Sequence, residues 1–119
     1  MAKLDSLEIA QLVSCALASK KGQDIIILEL KGLTVIADYF VIATGASSMN
    51  INALCDAVLD DTRKAGIKGV RPQGKSDTWV LLDLGDVVVH IFDEDHREFY
   101  QLEKLWVDAP PVPLPEGAK

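Results

Sequence analysis

Trp79-Val80-Leu81-Leu82-Asp83-Leu84-Gly85-Asp86-Val87-Val88-Val89-His90-Ile91-Phe92 reads as two β-strands joined by a tight turn. Gly85 can take the left-handed backbone that such a turn requires. The turn carries an acid on each side, Asp83 and Asp86, and Trp79 opens the first strand. No catalytic constellation accompanies it in sequence. An aromatic anchor on an acid-edged hairpin suits gripping a basic protein partner, because Trp is enriched at interface hot spots and carboxylates complement Lys and Arg. Two readings of Trp79 stay open, core residue or semi-exposed anchor. Asp83 and Asp86 are either solvated turn residues or partner contacts.

Working outward, Val70-Arg71-Pro72 is a short edge strand, since Pro is tolerated there and not centrally. Two earlier runs, Ile25-Ile26-Ile27-Leu28 and Ala37 to Thr44, are buried strands separated by a break at Lys31-Gly32. Asp5 and Glu8 have capping-box spacing, and Ile9, Leu12, Val13, Ala16 and Leu17 follow on one helical face. Lys20-Lys21-Gly22 ends that helix, with Gly22 free to adopt positive φ. After Gly45, either Ser47 or Ser48 caps a second helix whose inner face is Ile51, Leu54, Cys55, Val58, Thr62 and Ala65. Asp95 and Glu98 repeat the capping-box spacing and open a third, with Phe99, Leu102, Leu105 and Trp106 on its apolar side. Trp106 is a core or dimer contact. Pro110, Pro111, Pro113 and Pro115 predict an extended, mobile tail. The order α-β-β-α-β-β-β-α contains one crossover and one hairpin. It predicts an α/β fold, a single domain with a mixed β-sheet flanked by helices, over residues 1–109, followed by a Pro-rich tail over 110–119.

Composition bounds the function. A chain of 119 residues, 49% hydrophobic and 25% charged, makes one globular domain with a real core. The net charge of −6 argues against direct, sequence-specific nucleic-acid binding, which draws on Lys and Arg clusters that are thin here. An acidic surface favours basic partners, ribosomal proteins and histones being the obvious classes. Cys15 and Cys55 form no C-x-x-C and no Cys/His cluster, so neither zinc nor another metal is expected, and the thiols are those of a cytoplasmic protein. The N-terminus has no secretory or transit pattern, and the apolar runs are far shorter than the roughly 20 residues of a membrane span.

Three motifs have a chemical and a local reading. Gly45-Ala46-Ser47-Ser48 lies between a strand and a helix, where backbone N–H groups can hold a phosphate. It lacks the P-loop Lys and the three-glycine fingerprint, so a turn and cap explain it more simply. Asp93-Glu94-Asp95 can present two carboxylates to a divalent metal, and with Gly45 and Ser47 it sketches a nucleotidyltransferase site. No later acidic strand supplies a third ligand, and helix capping by Asp93 or Asp95 is the simpler account. His90 reads as a hydrogen-bonded, half-buried strand residue, and His96 as a surface residue.

Three signatures are similar to those of the ribosomal silencing factor family, also called Iojap-like. The first is Asp38-Tyr39-Phe40-Val41-Ile42-Ala43-Thr44-Gly45 with Ser47-Ser48. The second is the Trp79–Phe92 stretch, and the third is Arg97-Glu98-Phe99-Tyr100-Gln101-Leu102-Glu103-Lys104-Leu105-Trp106. Gly22-Gln23-Asp24-Ile25 resembles the family's first strand. The resemblance covers residues 5 to 108. It implies a nucleotidyltransferase-like fold without catalytic residues, and so no enzyme and no cofactor. It further implies a homodimer-forming protein that binds the large ribosomal subunit through ribosomal protein L-fourteen. Subunit joining would be blocked sterically, lowering translation under nutrient limitation. Carried over residue by residue, the binding surface is Trp79, Asp83, Leu84 and Asp86, with Asp38 and Tyr100 flanking. Gln73-Gly74 stands where relatives often have Glu-Gly, and Met49-Asn50-Ile51-Asn52 where they often carry Gln or His. The alternatives are a metal-dependent nucleotidyltransferase using Gly45, Ser47, Asp93 and Asp95, or a ribosome-biogenesis factor using the hairpin surface.

Overall fold

The apolar runs form the expected strands β1 (Gln23–Glu29) and β2 (Tyr39–Thr44). The edge strand expected at Val70–Pro72 forms one residue later and longer as β3 (Arg71–Lys75). The hairpin gives β4 (Trp79–Asp83) and β5 (Val87–Phe92), and a sixth, β6 (Pro111–Val112), comes from the Pro-rich end. The structure, a computed structural model, describes residues 4–67, 69–75 and 78–118. The strands make one mixed sheet in the order β3-β4-β5-β2-β1-β6. Only β2 and β5 run parallel, in register from Tyr39–Val87 to Thr44–Phe92. The other neighbours pair antiparallel. All six residues of β2 and of β5 are buried, which is why both read as continuous apolar runs instead of alternating ones.

Helices α1 (Ser6–Ser19) and α2 (Ser48–Lys64) cover one face of the sheet. Ala10, Val13, Ala16 and Leu17 of α1 and Ile51, Leu54 and Val58 of α2 meet Ile27, Val41, Val80, Leu82, Val89 and Ile91 there. On the opposite face Leu28, Phe40, Ile42, Val88 and Phe92 form a second apolar layer, roofed by Trp106 and Ala109. Trp106 is therefore a core contact within the chain, edge-on to Phe40 at 5.9 Å between ring centres.

The α1 capping box forms as expected, with Asp5 accepting from the Glu8 N–H and Glu8 from the Asp5 N–H. Its C-terminus differs from expectation: Lys21, at φ 65°, takes the left-handed position. Gly22 instead donates to the Leu17 carbonyl at 2.8 Å, and a Cβ on it would press on that same carbonyl. The third helix is two pieces, α3 (Glu94–Tyr100) and α4 (Leu102–Leu105), broken where Gln101 turns left-handed at φ 46°. Its cap is Asp93 and not Asp95, because β5 runs to Phe92 and the first free helical N–H groups follow directly. Of the expected apolar side, Trp106 packs inward while Leu105 is 71% exposed. The side chains of Phe99 and Leu102 lie outside the described residues.

The chain from Pro110, expected to be extended and mobile, is extended and laid along the sheet. The Glu29 N–H donates to the Pro110 carbonyl at 3.0 Å, and β6 pairs with β1 at Ile27–Val112 and Leu28–Pro111. An edge strand needs only one row of donors and acceptors, so proline's missing N–H is tolerated there. A 3-10 turn, Glu116–Ala118, then packs on α1, with Ala118 buried.

Candidate functional site

The parallel pairing of β2 with β5 gives the sheet two distinct ends. Where these strands begin lie the β4–β5 turn, Asp38 and the loop from Leu30 to Asp38. Where they finish lie Gly45–Ser48 and Asp93–Asp95. Ligands in α/β sheets favour this second, carboxyl end. The acidic turn and the Gly45–Asp95 cleft thus fall at opposite ends of one sheet, while Trp79, paired with Phe92, stands at the cleft end.

Alternation along β4 puts Trp79, Leu81 and Asp83 on the face away from α1 and α2. Trp79 is half-buried. Its ring stacks on Phe92 at 5.0 Å and 25°, and its Nε1–H donates to His90 Nδ1 at 3.1 Å. Trp79 thus has one side in the aromatic layer and one side in solvent. Accepting at Nδ1 obliges neutral His90 to carry its proton on Nε2. That Nε2 has no hydrogen-bond partner among the described residues. Burial pushes the His90 pKa down to about 4, so the ring is neutral at physiological pH. Trp79 and Asp83 lie at the two ends of the strand, roughly 13 Å apart at about 3.3 Å per residue.

At the turn, Asp83 is exposed and its carboxylate accepts from the Gly85 N–H at 2.8 Å. Gly85 has φ 89°, the left-handed backbone expected of it. Asp86 is also exposed, and its carbonyl accepts from both Asp38 N–H, at 2.7 Å, and Tyr39 N–H. Three carboxylates, Asp38, Asp83 and Asp86, therefore share one rim. Arg71 faces Asp83 across the β3–β4 pairing, and Lys31 lies over the Tyr39 ring at 5.5 Å. Leu84 is half-buried against the helix-covered core. The side chain of Tyr100 lies outside the described residues. Leu81, which completes the line from Trp79 to Asp83, was not singled out from sequence, although the two-residue period names it.

At the opposite end, Gln23, Gly45, Ala46, Ser47, Ser48, Asp93, Glu94 and Asp95 line a cleft of about 460 Å³. The structure does bring together all four residues of the nucleotidyltransferase alternative. Two of their oxygens already serve local bonds. Ser47 Oγ accepts from the Asn50 N–H that opens α2, and Asp93 Oδ1 accepts from the His96 N–H and meets His96 Nδ1, each at 2.7 Å. Gly45 is needed for packing, since a Cβ there would collide with the Ile51 side chain. Arg97, beside the cleft, is held by the Asp24 carbonyl and Thr44 Oγ1. Among the described residues no three His, Cys, Asp or Glu side chains are grouped to hold a metal ion. No helix among them is long and apolar enough to cross a membrane.

The family model described as ribosomal silencing factor during starvation matches residues 3–119, which takes in the β6 segment as well as the three signatures. The ribosomal silencing factor RsfS of Bacillus subtilis is 38% identical over 115 residues, covering 96% of this chain and 98% of that protein. RsfS of Halalkalibacterium halodurans is 41% identical over 112 residues, covering 93% and 96%. The crystal structure of a protein from Chromobacterium violaceum superposes with a TM-score of 0.84 at 37% identity, covering 98% of each chain.

Proposed function

Since the chain belongs to the ribosomal silencing factor family, we propose that it represses translation by seating the outer face of β4 and the β4–β5 turn on ribosomal protein L-fourteen of the large subunit. The bound protein occupies the face that the small subunit must meet, and joining fails. No bond is made or broken, so the protein is not an enzyme. It acts in the cytoplasm when nutrients are scarce, and the free protein is a homodimer. The observation that carries this reading is the continuous line Trp79, Leu81, Asp83, which runs into a rim bearing Asp86 and Asp38. It combines a half-buried aromatic anchor with carboxylates that complement a basic protein.

A subunit-joining assay on a sucrose gradient tests it. Asp86→Lys is the suitable variant, because the fold uses the Asp86 carbonyl and leaves its exposed side chain free to change. Wild-type protein should abolish the joined peak and Asp86→Lys should restore it. Undiminished joining at saturating wild-type protein would overturn the proposal. The nucleotidyltransferase alternative predicts the reverse pattern: sensitivity to Asp93→Ala and Asp95→Ala, with Mg²⁺ and nucleotide binding in the cleft.

A further inference from the structure

Between β1 and β2 the chain exposes three large apolar side chains within four residues: Leu33 at 46%, Val35 at 104% and Ile36 at 66%. This loop is not loose. The Leu33 and Thr34 N–H groups donate to the Leu30 carbonyl, the Ile36 N–H to Thr34 Oγ1, and the Leu30 N–H to the Asp38 carbonyl at 2.7 Å. These bonds hold the apolar side chains outward, where they contribute little to the core. Water contact at this density is what marks an interaction surface.

The loop ends at Asp38, whose N–H donates to the Asp86 carbonyl, so it adjoins the acidic turn directly. We propose that the Leu33–Ile36 loop is a second, apolar arm of the partner-binding surface, inserting Val35 and Ile36 into an apolar pocket ringed by Lys and Arg on the same basic ribosomal protein. This inference rests on the function proposed above and extends its contact area. A specific interface engages about 20–30 residues a side, far more than a strip roughly 13 Å long supplies. The loop is the adjoining exposed apolar surface. A second copy of the chain fits less well as occupant. An isologous pairing through this end would set the Asp38, Asp83 and Asp86 rim against its own kind, on two chains each of net charge −6. A basic partner turns the same charges into attraction.

The test is titration of purified L-fourteen against the full chain, with wild type, the double variant Val35→Ser/Ile36→Ser, and Asp86→Lys. Sedimentation of each protein alone runs in parallel. Val35 is fully exposed and Ile36 about two-thirds so, and neither belongs to a core cluster, so the double variant should keep a melting temperature close to wild type. It should bind at least about tenfold more weakly, as expected for losing an anchor. Wild-type affinity in the double variant overturns the loop's role while leaving the hairpin reading intact. Reduced self-association with unchanged L-fourteen affinity also overturns it and makes the loop a dimer surface. Failure of the wild type itself to bind L-fourteen overturns both readings together.

Discussion

The hydrogen bond from Trp79 to His90 ties a half-buried aromatic to a buried, neutral ring. Trp79→Phe keeps the stack on Phe92 and removes the N–H that His90 Nδ1 accepts. A buried acceptor left alone costs about 1–3 kcal/mol, so urea denaturation should show a loss of that order. His90 also gives stability a pH dependence of definite sign. Its folded pKa, about 4, lies below the unfolded 6.5. Between those values the unfolded chain holds a proton that the folded chain refuses, so stability falls as pH drops through that window and this contribution levels below it. The full shift corresponds to on the order of 3 kcal/mol. Urea titrations at pH 7, 6, 5 and 4.5 should show a steeper decline for wild type than for His90→Gln. Parallel declines would show that His90 is not the group responsible.

At the scale of an element, β3 depends on one residue. Gly74 sits at φ 101°, and a Cβ on it would collide with the Trp79 carbonyl oxygen across the β3–β4 pairing. Gly74→Ala should therefore unpair β3 from β4 while the inner strands persist. Hydrogen exchange should lose protection at Gln73 and Leu81 and keep it in β2 and β5. Loss of protection throughout the sheet would show that β3 is integral to the core. The same variant also unsettles Trp79's backbone, so subunit joining should be blocked less effectively than by wild type.

For the whole molecule, the Pro-rich end is a closure. Val112 and Leu114 pack against the helix-covered core, Ala118 is buried, and β6 covers the edge of β1. Deleting residues 110–119 removes that burial, a loss of about 2–4 kcal/mol at about 1.5–3 kcal/mol per buried aliphatic side chain. It also leaves β1 as an open edge, which invites pairing between chains. A lower melting temperature together with concentration-dependent sedimentation is the expected result. An unchanged melt would mean that the docked segment adds nothing to the fold.

Much of this molecule was legible in the sequence because local physics sets it. Period-two and continuous apolar runs located four strands, the Pro-tolerant edge at Val70–Pro72 pointed to the fifth, the Asp5–Glu8 spacing located α1, and the two acids beside Gly85 located the turn. These features depend on residues a few positions apart. The resemblance of the three signatures named the family. What the sequence left open was decided by contacts between distant residues. Competition between β5 and α3 for the same stretch put the cap on Asp93 instead of Asp95. An unfilled edge on β1 drew in a proline segment that looks unstructured on its own. Parallel pairing of β2 with β5 sent the acidic rim and the Gly45–Asp95 cleft to opposite ends of the sheet. Local sequence reports propensity, and only the assembled sheet reports which face, which edge and which end each side chain occupies.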